Sequence, residues 1–268
     1  MQASLKSRFA TALVGIPLLV LLVAWGDAWL FAAVLFVLMV AALREYFRMA
    51  FPQRASAQLI GVLFGIALSI FLFAPEIFAP ELGVGLALVI CFSVHLFTAG
   101  RVEERLIRLA WTLLGGLYLG LLLPHWVVLF RMPRGRAWVL FVLFVIMMGD
   151  TFAYFIGSRF GSKRLAPQIS PNKTVAGAWG YVVGSLIAGC LGANFLLQEF
   201  GWVEIVTLSL VLSILGQVGD LFESWIKRVF AVKDTGAVLP GHGGLLDRLD
   251  SLIFPAVFTT AYLKVFHS

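Results

Sequence analysis

The stretch A137-W-V-L-F-V-L-F-V-I-M-M-G-D-T-F-A-Y-F-I-G157 decides the fold. It is continuous hydrocarbon broken by a single charge, and it does not alternate apolar with polar residues. It therefore reads as a helix long enough to cross a membrane and not as a barrel strand. Asp150 inside it is too costly to face lipid unpaired and must point into protein. Ala153, Tyr154 and Gly157 follow at offsets of 3, 4 and 7, which puts small and polar residues on the same face. Such a stripe suits an inner cavity in which Asp150 touches a metal or a substrate; the structural alternative is a buried hydrogen-bond anchor.

Working outward, eight more apolar runs lie at about 9–25, 29–43, 58–73, 82–97, 106–123, 175–197, 202–219 and 249–266. With 61% hydrophobic residues, 13% charged and a mean hydropathy of +0.98, the chain is too apolar for a soluble domain. The expected fold class is all-α, a polytopic membrane helix bundle of about nine transmembrane helices forming one integral-membrane domain over residues 1–268. Lys6 and Arg8 precede the first run as in a signal peptide, but Pro17 sits within it and no small-residue cleavage site follows, so a retained first span is expected. Cys91 and Cys190 each lie in an apolar run and form neither a disulfide framework nor a CxxC site.

Charge orients the spans. With the N-terminus inside, sixteen of the twenty basic residues fall on the cytoplasmic side, so the net charge of +6 reflects topology and no nucleic-acid partner is implied. Arg131, Arg134 and Arg136 are misfits on the outer side, and Pro124-His125 points to a broken or mis-drawn fifth or sixth span nearby. Arg44-Glu45-Tyr46-Phe47-Arg48 ends the second span and reads as a topogenic, interfacial element. His95 and His125 have no partner at metal-ligand spacing and read as packing residues.

Two charged stretches then share the cytoplasmic face. The first, 158–174, interleaves Arg159, Lys163, Arg164 and Lys173 with Ser158, Ser162, Ser170 and Thr174; cations plus hydroxyls hold phosphates by charge and by directional hydrogen bonds. Lys173-Thr174 opens the next helix, whose positive end favours anions. The second is D220-L-F-E-S-W-I-K-R-V-F-A-V-K-D-T-G-A-V-L-P-G-H-G-G-L-L-D-R-L-D-S251. Read as a helix to about Thr235-Gly236, it sets Asp220, Glu223, Ser224 and Lys227 on one face. A loop follows whose glycines leave amides free to meet a phosphate, and a second helix from about Leu245 puts Asp247, Asp250 and Ser251 on one face. Carboxylates beside phosphate-seeking cations call for a divalent cation between them, which points to metal-dependent phosphoryl or nucleotidyl transfer.

These residues resemble the phosphatidate cytidylyltransferase (CDP-diglyceride synthase) family. Its signature is met in register by Ser224, Ile226, Lys227, Arg228, Lys233, Asp234, Gly236, Leu239, Pro240, His242, Gly243, Gly244, Asp247, Arg248 and Asp250. G-D-T-F-A-Y-F-I-G and I-S-P-N-K-T upstream fit the family's patterns too, so the match is strongest over 149–251. Ala176 departs from it, standing where the family usually has Glu.

The resemblance implies transfer of a cytidylyl group from CTP to phosphatidic acid in the bilayer, giving CDP-diacylglycerol and pyrophosphate, with Mg²⁺ alone or with a second cation. It implies a homodimer in the cell (inner) membrane with its site on the cytoplasmic face. Asp220 and Asp247, with Asp250, are then the expected metal ligands, and Asp220, Asp247, Lys227 and Arg228 the catalytic set. Ser170, Lys173, Thr174, Ser224, Lys233, His242, Gly243, Gly244, Arg248 and Asp150 are expected to bind substrate. A related transferase with another lipid-phosphate acceptor, or a transporter of a phosphorylated solute, are the rival readings.

Overall fold

The computed structural model describes residues 5–73, 80–236 and 243–267. Its helices are α1 (Leu5–Trp25), α2 (Ala28–Ala50), α3 (Ala55–Phe73), α4 (Pro80–Phe97), α5 (Val102–Gly115), α6 (His125–Arg131), α7 (Gly135–Phe160), α8 (Val175–Leu196), α9 (Trp202–Val229) and α10 (Leu246–Phe266). Among the described residues seven segments are long and apolar enough to cross a membrane, and two shorter apolar helices, Gly15–Trp25 and Leu82–Phe97, bring the set to the nine runs seen in the sequence. The chain is a multi-pass, all-α membrane protein.

The fifth span does not end at Pro124. A π-helical segment, Gly116–Leu122, follows α5, and helical bonding resumes beyond the proline through Trp126 N–H to Leu123 C=O (3.2 Å) and Val127 N–H to Pro124 C=O (2.9 Å). The wider π turn absorbs the donor that proline lacks, so one span runs over Val102–Arg131. The arginines beyond it have structural employment: Arg134 pairs with Glu199 and donates to the Leu196 carbonyl (2.7 Å), and Arg136 donates to Ala24 C=O (3.1 Å).

Residues group into two compact units. One comprises Gly26–Val128 with Asp234–Leu246 and the start of α1. Its core is Leu43, Tyr46, Phe47, Phe64, Leu68 and Leu119, and Gly120 brings its segment onto the backbone of Gly65, where any Cβ would collide. Without a hydrophobic force between helices in lipid, close approach at small residues is what holds them. His95 is satisfied here, Nδ1 to Cys91 C=O (2.9 Å) and Nε2 to Thr112 Oγ1 (3.2 Å).

The other unit comprises Ala12–Trp25, Leu129–Lys233 and Asp247–Ser268. Antiparallel α7 and α8 meet along a glycine seam: a methyl at Gly177 would lie 3.1 Å from Ala153 C=O, one at Gly180 2.9 Å from Phe152 C=O and one at Gly184 2.7 Å from Met148 C=O. Between these helices the sequence implied an irregular loop. The chain instead forms a short antiparallel ribbon of β1 (Arg164–Ala166) and β2 (Ser170–Thr174), irregular in register, with Pro171 tolerated because both strands are edges.

Helix α9 stops at Val229, earlier than the Thr235-Gly236 boundary expected. Ala231 adopts a left-handed conformation (φ 55°), and the amides of Ala231 and Val232 close back onto Arg228 C=O (3.1 Å) and Lys227 C=O (3.0 Å). That is a Schellman closure with alanine where glycine is usual, which is why no breaker marks it in the sequence.

Candidate active site

Three helices and the ribbon enclose a cavity of about 580 Å³. Asp150, Ala153, Tyr154 and Gly157 line it from α7, so the stripe faces this cavity, but the cavity is open and Asp150 and Tyr154 are exposed where a buried stripe was expected; Lys173, Thr174, Tyr181, Gln217 and Asp220 join them. Each arrives for a local reason. Thr174 is the N-cap of α8: its Oγ1 accepts from Gly177 N–H (3.0 Å) and is cradled by Gly157, Gly161 and Gly177, where an added methyl would sit 2.6–3.1 Å from that oxygen. The cap fixes the end of β2, and with it the preceding residue. Lys173 Nζ thereby reaches Asp220 Oδ2 at 2.7 Å, beside the positive end of α8.

Deeper along α9 the facial spacing seen in the sequence is realised. Ser224 Oγ lies 3.5 Å from Asp220 Oδ1, and Lys227 Nζ bridges Glu223 Oε2 (2.7 Å) and Asp247 Oδ1 (2.6 Å). The Glu223 contact is an ion pair without hydrogen-bond angles, so both its carboxylate oxygens, fully buried, lack a hydrogen-bond partner among the described residues. Asp250 is buried, accepts from Ser251 N–H (2.7 Å), and lies within charge range of Asp150, Asp220 and Glu223. Four carboxylates thus share one neighbourhood, and Lys173 and Lys227 are each committed to it.

The remaining expected residues sit elsewhere. Arg228 Nε donates to Ile169 C=O (3.0 Å), which ties the ribbon to α9 and does not aim the guanidinium at the cavity. Ser170 is outside the cavity wall, Lys233 is exposed past the end of α9, and Arg248 is exposed on α10 within charge range of Asp150. His242 lies outside the described residues.

The glycine loop holds a surprise. In the first unit the Glu45 carboxylate, 2% exposed, accepts from Leu245 N–H (3.0 Å), Leu246 N–H (2.9 Å) and Thr235 Oγ1 (3.1 Å). A methyl at Gly236 would lie 2.5 Å from Glu45 Oε1, and one at Gly244 2.8 Å from Oε2. Gly236, Gly244 and the amides of Leu245 and Leu246 therefore close on an internal carboxylate. Glu45 is not merely topogenic. Its signal was present: an anion near the C-terminal end of a helix, where the dipole disfavours it, asks for a partner. Glu45→Ala is expected to destabilise the fold by about 1.5–3 kcal/mol, the worth of bonds to a charged acceptor, and to speed proteolysis within residues 234–246. A thermal melt and a cleavage time course both matching wild type would contradict it.

The pattern described as "Cytidylyltransferase family" matches residues 6–266. The phosphatidate cytidylyltransferase of Brucella abortus is 42% identical over 134 residues, 50% of this chain and 49% of that protein. That of Bacillus subtilis is 36% identical over 154 residues, 57% of each, and that of Staphylococcus saprophyticus 44% over 121 residues, 45% and 46%. The matched regions span about half the length of these curated relatives. Since the family pattern runs through nearly the whole sequence, the chain belongs to the cytidylyltransferase family.

Proposed function

We propose that this protein transfers the cytidylyl group of CTP to phosphatidic acid, forming CDP-diacylglycerol and releasing pyrophosphate at the cytoplasmic face of the cell membrane, as a homodimer. The observation that carries the reading is the Lys173–Asp220 pair in a cavity roofed by the N-terminus of α8. Cation, helix end and carboxylate converge where a polyanion and its counter-ion would lie together.

In this reaction an oxygen of the lipid phosphate attacks the α-phosphorus of CTP, the bond to the β-phosphate breaks and the electron pair leaves with pyrophosphate. A phosphate monoester is already ionised at neutral pH, so no strong base is required. Lys173 and the positive end of the α8 dipole attract phosphate charge, and Arg228, by holding Ile169, keeps the ribbon in place over the cavity. The apolar helices leave the acyl chains in the bilayer while the headgroup enters.

The residues present fit Mg²⁺. Asp220, Asp150 and Asp250 offer hard oxygen donors, and among the described residues no three His, Cys, Asp or Glu side chains form a ready cage. One or two carboxylates completed by water and substrate phosphates is the set Mg²⁺ takes. Asp220, with Asp250 of α10 in charge range, would hold it, while Asp247 is held by Lys227. When bound, it neutralises charge that accumulates on the transferring phosphoryl oxygens.

Purified protein given labelled CTP, phosphatidic acid and Mg²⁺ is expected to yield labelled CDP-diacylglycerol, and to lose that product with EDTA. Absence of any labelled lipid overturns the reading. Label appearing only when a polyprenyl phosphate replaces phosphatidic acid moves it to another acceptor, the outcome to which Ala176 would then be relevant.

A further inference from the structure

Arg44 and Arg48, near the end of α2, differ from the arginines described above in having nothing to hold. Arg54, Arg101 and Arg134 pair with carboxylates, and Arg105, Arg108, Arg136 and Arg228 donate to backbone carbonyls. Arg44 and Arg48 are both exposed, and neither has an ion pair or hydrogen bond with a described residue. The obvious counter-ion, Glu45, is turned inward and its carboxylate is taken by Thr235, Leu245 and Leu246. Like charges four residues apart on a helix repel, so this pair calls for an anion from outside the chain.

The pair also tops a groove. About 360 Å³ of space lies along α2, lined by Phe36, Val37, Val40, Ala41, Arg44 and Arg48. Positions 37, 40, 41, 44 and 48 fall at offsets 0, 3, 4, 7 and 11, one continuous helical face. That face changes character once. Residues 28–43 carry no charge, so the arginines stand where the apolar run ends, at headgroup depth, and the rest of the groove lies in hydrocarbon. From Arg44 to Phe36 is roughly 12 Å at 1.5 Å per residue, most of one leaflet's half of a hydrocarbon core about 30 Å thick. Val37 is 65% exposed, so this wall is open to an occupant.

We infer that the groove binds an anionic phospholipid of the surrounding bilayer, its phosphate held by Arg44 and Arg48 and one acyl chain lying along Phe36, Val37, Val40 and Ala41. Guanidinium forks grip phosphate oxygens in pairs. The negative end of α2, roughly half an elementary charge, is outweighed by two full positive ones. A zwitterionic lipid carries its own cation to the site and gains less, and a soluble phosphate leaves the apolar wall uncovered. The groove lies wholly within the first unit and does not require the reaction proposed above.

The test is native mass spectrometry of the full-length protein in neutral detergent, titrated with phosphatidylglycerol. Arg44→Gln/Arg48→Gln should bind this lipid about 10- to 30-fold more weakly, the attraction that two basic residues supply to an anionic lipid. Without lipid it should melt with wild type, since neither side chain has a partner to lose. Phosphatidylglycerol should raise the melting temperature of wild type, phosphatidylcholine should not, and the double variant should lose most of the gain. Val37→Trp keeps both charges but fills the groove, and it should weaken phosphatidylglycerol binding as well. Undiminished binding by the double variant overturns the inference. So does equal binding of phosphatidylcholine to wild type, or full affinity in Val37→Trp, which would leave the arginines as surface charge alone. Stabilisation by sn-glycerol 3-phosphate equal to that by the lipid overturns it too, because the ligand would then be a soluble anion. Where the double variant fails to insert, Val37→Trp and the comparison of lipids on wild type decide.

Discussion

Asp220→Asn is expected to lower turnover by about 10²–10³-fold, the loss typical of removing one charged group that meets developing phosphoryl charge, while the protein still folds and inserts. Two facts set the asymmetry. The Lys173–Asp220 pair is only partly buried, with side-chain exposures of 25% and 32%, and pairs of that kind contribute roughly 0–1 kcal/mol to stability. Asn keeps the size and one oxygen, so packing around Ser224 survives. The carboxylate's other role, as an oxygen donor to a divalent cation, does not. Mn²⁺ binding followed by electron paramagnetic resonance should weaken in parallel with the rate. Turnover within a factor of two of wild type, with unchanged Mn²⁺ affinity, would remove Asp220 from the reacting centre.

Lys227→Met should behave differently, because here activity and stability fall together. Lys227 joins Glu223 and Asp247 with side-chain exposures of 12%, 0% and 11%. Its removal leaves two carboxylates facing each other out of water, at a cost of about 3–5 kcal/mol for breaking a buried pair. The single variant is expected to express poorly and to melt early. Replacing the partners as well, in Glu223→Gln/Lys227→Met/Asp247→Asn, should recover most of the stability, since neutral groups need no compensating cation, yet no activity should return. If the triple variant melts no higher than Lys227→Met, the cluster is not an electrostatic unit.

The helices were legible because a span announces itself: nothing but apolar residues can occupy 137–157. Where the reading slipped, the deciding feature was local geometry without a local marker. Ala231 takes a conformation glycine usually fills, so the end of α9 was invisible, and the π turn before Pro124 let a span continue through a residue that normally stops one. The facial arrangement of Asp220, Glu223, Ser224 and Lys227 follows from helical spacing alone and was recovered. Lys173 and Asp220 were each identified, but their contact joins two segments 47 residues apart, and periodicity carries no information about such meetings. Glu45 shows the same limit more strongly. Its nearest relatives in sequence are Arg44 and Tyr46, and those invite an interfacial interpretation.

The bonds of Glu45 reach 190 to 201 positions ahead in the sequence. At roughly 5–20 residues per second of synthesis, Glu45 enters the bilayer about 10–40 s before its amide partners leave the ribosome. Throughout that interval an acidic side chain waits near the boundary without its intended donors, and the contact can close only after Leu246 has left the ribosome. A nascent chain stalled before Leu245 would therefore hold α1 to α9 but neither α10 nor this contact.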